Sequence, residues 1–287
     1  MRNKNKIRES FSGRVFDVFN FLLFLVVGAA MVIPLLKVLS DSLDSAVNVG
    51  INLIPKKFSA AAYQQIFMNR ALLHPLQISV ITTLFGTLLG LVVCTIGAYV
   101  LTQRKMPGRR IFVGFVMFTM IFNGGLIPTY LTMRAFRLIN TLWAVLLPLS
   151  LNVYNMILMK NFFEQIPESL LESADMDGCT PFQAFYKIVL PLSKPALASI
   201  GLFFAVAEWN EFFSYVMYIT KTDLYNFQVK IRELILDSQA LNSFEFVVNL
   251  KQSQNAMIVV AVLPFMLIYP FCQRYFVQGV TMGAIKE

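Results

Sequence analysis

An all-α membrane protein of six spans is the fold class this sequence predicts, and three observations carry it. Hydrophobic residues make up 57% of the 287-residue chain, above the roughly 45–50% of a soluble domain, and mean hydropathy is +0.64. Charged residues are only 14% and cluster in short segments. The intervening runs reach the ~20 residues that a helix rising ~1.5 Å per residue needs to cross a ~30 Å hydrocarbon core.

The first element is a basic N-terminal segment carrying Arg2, Lys4, Lys6, Arg8 and Arg14, followed by the apolar run Val18 to Leu36. That run is too long for a signal-peptide h-region and lacks an A-x-A cleavage site, so it reads as a retained first span. Spans two, three and four are Pro75 to Gln103, Ile111 to Met133 and Leu138 to Met159. Span five, Pro195 to Thr220, contains Glu208 and Glu211, and span six is Gln252 to Gln273. Six crossings put both termini on one side.

Lysine and arginine in short loops set which side. The N-terminal segment and the link holding Arg104, Lys105, Arg109 and Arg110 are expected in the cytoplasm. The link with Arg134 and Arg137 and the mixed-charge segments 39–74 and 221–251 are expected outside. The chain then divides into a cytoplasmic segment 1–17, a six-span membrane domain 18–278 with a cytoplasmic loop at 161–195, and a cytoplasmic tail 279–287. Pro34, Pro148, Pro264 and Pro270 favour kinks, and Asn123, Gly124, Gly125 and Pro128 loosen the outer end of span three.

Several function classes drop out. The net charge of +8 sits between apolar runs, not along one polar face, so no nucleic-acid partner is expected. Cys94, Cys179 and Cys272 form no C-x-x-C pair and His74 is the single histidine, so neither a disulfide framework nor a metal site is expected. His74 reads as an interfacial or loop residue and Cys94 as a small packing residue. No G-x-S-x-G or H-E-x-x-H run supports a hydrolase, and no internal repeat supports an inverted-repeat carrier.

The loop 161–195 is built like a folded element. Pro167 suits a first helical turn, Glu168 and Glu172 favour that helix's N-terminal half, and Gly178 suits its stop. Thr180, Pro181 and Gln183 then form a capping box, and Pro191 is expected to end the second helix. In the first helix Phe163, Ile166, Leu170 and Ala174 form an apolar stripe beside an acidic one of Glu164, Glu168 and Glu172. Lipid-surface helices are rich in lysine and arginine, so this acidic amphipathic helix reads as a docking element for a partner.

The run Glu172-Ser173-Ala174, then Gly178, then Ile188-Val189-Leu190-Pro191 resembles the E-A-A, G, I-x-L-P signature of permease subunits of ABC importers. Ser173 stands where the pattern prefers alanine. The C-terminal run Gln273 to Lys286, Trp209-Asn210-Glu211-Phe212 and Asn123 to Tyr130 are similar to the smaller permease of maltose-type carbohydrate importers. The last run is most like a branch handling polysaccharide-derived oligosaccharides, alginate among them. The resemblance implies an importer of oligosaccharides across the bacterial cytoplasmic membrane. It makes the loop a coupling helix whose residues Glu168, Glu172, Ser173, Ala174, Asp177, Gly178, Ile188, Leu190 and Pro191 meet a cytoplasmic ATPase. The implied partners are an ATPase dimer, a second, different permease, an extracytoplasmic solute-binding protein, the sugar and membrane lipid. ATP and Mg belong to the ATPase, since this chain has no G-x-x-x-x-G-K-[ST] run and no catalytic residue of its own.

Acids inside a span are costly and tend to face a bundle interior or a watery path. Asn152, Asn155, Glu208, Asn210 and Glu211 are therefore the candidates for a translocation path, with interhelical or subunit contact as the competing role. The aromatic residues, Trp209 included, read as lipid-facing or interfacial before sugar-stacking. Two rival functions remain: an ion-driven carrier, motivated by Glu208 and Glu211, and a non-transporting scaffold.

Overall fold

The computed structural model describes residues 11–45, 52–104, 106–240 and 251–270. It is helical almost throughout. The helices are α1 (Phe11–Ser42), α2 (Ala61–Met68), α3 (Arg70–Thr102), α4 (Arg109–Ile121), α5 (Leu126–Ala135), α6 (Trp143–Ser150), α7 (Val153–Phe163) and α8 (Glu168–Met176). They continue as α9 (Pro181–Leu192), α10 (Lys194–Asn210), α11 (Phe213–Tyr218), α12 (Phe227–Ala240) and α13 (Lys251–Pro270). The expected tail 279–287 and the run Gln273 to Lys286 lie outside the described residues.

Helices α1, α3 and α13 are each long and apolar enough to cross a membrane alone, and the bent pairs α4–α5, α6–α7 and α9–α10 bring the total to six if each pair counts as one span. The six-span reading holds in that form, with none of the three pairs a single continuous helix. Span three bends by 113° between Ile121 and Leu126. Gly125 adopts φ +85°, and the Asn123 side chain accepts a hydrogen bond from its N–H at 2.9 Å, a local turn that competes with helix. At ~1.5 Å per residue, the 13 residues of α4 cover only about 20 Å. Span five also stops early, because Glu211 is extended (ψ 121°) and its Oε1 accepts from Ser214 N–H at 2.6 Å, opening α11. Helix α10 instead begins at an 81° bend after α9.

The described residues divide into two compact units, with boundaries after Ile66, Ile235 and Val260. In the first, the α1 window is wholly unburied within the chain, as a helix facing lipid or another subunit must be. The connection that follows is pinned by Asp44, whose carboxylate accepts from Lys56 and Lys57 N–H, and by Gln252, which donates to the Ser42 and Ser59 carbonyls.

In the second unit α3 is the axis, packed most extensively against α10 and next against α7 and α6. Small residues permit the approach: Gly86, Gly90, Cys94 and Ala98 recur every fourth position, and close backbone contact at such stripes replaces the hydrophobic drive that lipid removes. Gly86 receives Glu208 and Gly90 receives the Phe204 ring. A core of Cys94, Ala98, Met159, Phe163, Phe185, Val189, Ile200 and Phe204 fills one end of the unit. Ile78, Val145, Tyr215, Ile219 and Val229 fill another.

Candidate functional site

The loop between α7 and α10 folds as its residues dictate, with three differences from expectation. Pro167, at φ −55° and ψ 129°, sets the entry to α8. Gly178 closes the helix in the left-handed region (φ +76°), where a side chain is strained, while Cys179 N–H reaches the Ala174 carbonyl at 2.9 Å. The Thr180–Gln183 capping box forms in both directions. The first difference is that Phe163 and Glu164 end α7, so the expected stripes span two helices whose phase Pro167 resets. The second is that Ala174 is buried at 5% exposure while Leu170 is exposed, and the side chain packed inward beside Ala174 is Leu171. The third is at Pro191: helix continues through Leu192, by way of a π turn over Phe185–Val189, and the break falls at Ser193. Within the Ile188-Val189-Leu190 run, Val189 is the side chain fully buried.

A cleft of about 400 Å³ opens between this loop and the end of α3, lined by Tyr99, Gln103 and Arg104 on one side and Leu171 and Pro181 on the other. Glu164, Glu168, Glu172 and Asp175 all line it, so the predicted acidic series shares one cavity although it does not share one helix. Sequence reasoning missed Asp175, which lies three residues after Glu172 and hence on the same helical face. Glu164 is held by Lys160 at 2.7 Å and Arg109 at 2.8 Å, and Glu168 by Arg104 at 2.9 Å. The last pair is largely exposed, so it orients the loop more than it stabilises it. Glu172 has no ion pair among the described residues. Asp177 and Gly178 lie outside the cleft at the C-terminal end of α8, and the Ser173 hydroxyl donates to Ser169 O. Tyr99 of α3 donates to the Pro181 carbonyl at 2.9 Å, tying loop to bundle. Exposed on the loop are Met176 (88%), Phe182 and Tyr186.

The path candidates are dispersed. Asn152 caps α7, accepting from Asn155 N–H at 3.0 Å, and Asn155 is buried. Glu208 is 2% exposed and neither carboxyl oxygen has a hydrogen-bond partner among the described residues. Asn210 is exposed and donates to Val206 O. Glu211 lies beyond the end of α10, so the two acids do not share a helical face; its carboxylate caps α11 and its carbonyl accepts from Asn226. Trp209 is buried, donates from Nε1 to Ala261 O at 2.9 Å and packs edge-on against Phe265, so its ring is spent on α13 and not on lipid. The packing stripe of Gly86, Gly90, Cys94 and Ala98 was also missed, though its four-residue spacing of small residues was legible.

A family model described as "Binding-protein-dependent transport system inner membrane component" matches residues 2–282. Among curated relatives, the chain is 37% identical over 283 residues to Protein LplC of Bacillus subtilis (strain 168), covering 96% of each chain. It is 36% identical over 282 residues to the "Polygalacturonan/rhamnogalacturonan transport system permease protein YtcP" of the same organism, covering 95% of this chain and 99% of the relative. A solved chain from "a bacterial ABC transporter involved in the import of the acidic polysaccharide alginate" superposes with a TM-score of 0.86 at 31% identity, covering 93% of this chain and 98% of that one. The apolar helices, the acidic loop with its E-S-A, G and I-V-L-P residues and these full-length likenesses agree: the chain belongs to the family of binding-protein-dependent transport system inner membrane components, as the non-enzymatic, multi-pass permease subunit of an ABC importer.

Proposed function

We propose that the chain imports oligosaccharides, acidic ones released from polysaccharides in particular, with a cytoplasmic ATPase dimer driving it through α8. The observation that carries the reading is the continuity between loop and bundle: Phe185 and Val189 of α9 pack in one core with Ile200 and Phe204 of α10 and Cys94 and Ala98 of α3. A displacement of α8 and α9 therefore reaches the α3–α10 contact without a compliant joint, as packed interiors transmit strain. Nucleotide-driven closure of the ATPase pair would shift the loop and bias the spans between inward- and outward-open states.

In this account Glu168, Glu172 and Asp175 meet basic groups and backbone donors of the ATPase. Ala174 and Val189 root the elbow, with Ile188 and Leu190 beside them, and Ser173, Asp177, Gly178 and Pro191 shape it. ATP and Mg are held by that partner. Both termini and the segment 161–195 lie in the cytoplasm, the domain 18–278 spans the bacterial inner membrane, and the tail 279–287 also faces the ATPase. A second, different permease completes the pore and an extracytoplasmic binding protein delivers the sugar. The acidic substrate class is supported by the likeness to the polygalacturonan/rhamnogalacturonan permease YtcP and to the alginate importer. Of the path candidates, Glu208 has the strongest case, because a carboxyl with no partner in one state is free to find water in another.

The test is ATP-driven uptake by the complex in proteoliposomes. Glu172→Lys is expected to leave a membrane-inserted, assembled complex with uptake lost. Normal uptake in that variant, or uptake that survives ATP depletion and collapses with an ion gradient, contradicts the proposal.

A further inference from the structure

The end of α3 remote from the α8 loop carries a second cavity, of about 660 Å³, lined by its first turns, by the turn at Thr222–Leu224 and by α12. That volume is in the ~300–1,000 Å³ range of small-ligand sites. Its charges are unevenly spent. Lys230 and Glu233 pair with each other at 2.9 Å and form a neutral wall. Arg70, His74 and Asp223 line the same cavity, and none of their side chains makes a hydrogen bond or ion pair with any described residue. Arg70 and His74 are four residues apart on one face of α3, and Tyr225, half-buried, contributes a ring.

Each group matches one part of a sugar acid. A free guanidinium takes a carboxylate through two parallel N–H bonds, a free carboxylate accepts hydroxyl protons, and an aromatic ring covers a C–H face. An unpaired Asp223 sharing the cavity with Arg70 argues against a phosphate, whose charge it would repel at close range, and suits a ligand with one carboxylate and many hydroxyls.

We propose that this cavity is a saccharide subsite for a uronic acid residue, with Arg70 and His74 on the carboxylate, Asp223 on hydroxyls and Tyr225 against the ring. The proposal rests on the oligosaccharide reading above and adds to it the residues that select acidic over neutral sugars. Because the cavity lies at the opposite end of a 33-residue helix, about 50 Å from the α8 loop, it meets the sugar before the bundle centre does.

The test has two arms. Uptake of trigalacturonate by the wild-type complex in proteoliposomes tests the function; failure there removes both readings together. Titration of trigalacturonate and its methyl ester into the permease–ATPase complex in nanodiscs, without binding protein, tests the cavity. Arg70→Gln is expected to weaken binding of the acid about tenfold and of the ester less than threefold, the loss of one bidentate pair. Arg70→Lys should fall between, and Asp223→Asn should weaken acid and ester alike. Wild-type uptake with equal effects of Arg70→Gln on acid and ester, or no effect on either, overturns the subsite and leaves the function standing. Loss of subunit assembly in Arg70→Gln assigns the cavity to a subunit contact and likewise overturns it.

Discussion

The carboxyl group of Glu208 lies directly over Gly86: a methyl group built on that glycine would stand 2.3 Å from Oε1 and 2.8 Å from Oε2. One turn along the same two helices, the Phe204 ring fills the notch at Gly90, where a methyl would come within 2.7 Å of two ring carbons. These two contacts fix how closely α10 approaches α3.

Alanine substitutions along the stripe should separate by what they meet. Gly90→Ala drives a methyl into a buried ring that cannot yield, and is expected to cost roughly 1–3 kcal/mol by overpacking. Gly86→Ala displaces the end of a longer side chain, and Glu208→Ala added to it should restore most of the loss. Gly114, with nothing within 4 Å of an added methyl, is the control, expected to tolerate alanine. Thermal unfolding in detergent measures all four.

Glu208→Met should make the protein more stable and less active. Both carboxyl oxygens are buried without a partner among the described residues, an arrangement that costs roughly 1–3 kcal/mol, and an apolar side chain of similar length removes that cost. If the carboxyl serves the path, uptake falls while the melting temperature rises. A variant that is stabilised and transports normally would assign Glu208 to packing alone.

Trp209→Phe tests a structural role against sugar stacking. The indole N–H bond to Ala261 O is lost, for an expected cost of about 1 kcal/mol, and the apparent KM for sugar should not move. A raised KM with unchanged stability would contradict the placement against α13.

Gly178→Ala and Thr180→Ala act on the elbow itself. The first forces a side chain into φ +76°, costing roughly 1–2 kcal/mol; the second removes a cap worth about 1 kcal/mol. Hydrogen exchange over 168–192 should speed up in both, and sugar moved per ATP hydrolysed should fall. Unchanged exchange and coupling would mean the caps are dispensable.

What the sequence disclosed divides along physical lines. The Thr180–Gln183 capping box and the Gly178 stop were legible because each depends on residues within one turn. The continuous crossings α1, α3 and α13 were legible because hydropathy and length alone define them. The 113° bend after Ile121 was not, since hydropathy records how apolar a run is and not which way its backbone turns; Asn123 and Gly125 marked the place but not the angle. The phase of α8 failed because Pro167 interrupts the helical period that the Phe163 to Ala174 stripe assumed. Glu208 was found as an anomaly, but its seat on Gly86 depends on pairing two helices far apart in the chain. Arg70, His74 and Asp223 gave no pattern at all, being joined only by the fold.

Met176, 88% exposed on α8, offers the most direct measurement. Met176→Cys with Cys179→Ser in the assembled complex, paired with cysteines introduced one at a time on the ATPase surface and treated with a short bis-methanethiosulfonate, should capture the ATPase subunit, stop ATP-driven uptake, and release both when the disulfides are reduced. A complex that moves sugar while crosslinkers placed at Met176 and along α8 never capture the ATPase would contradict the coupling on which this account stands.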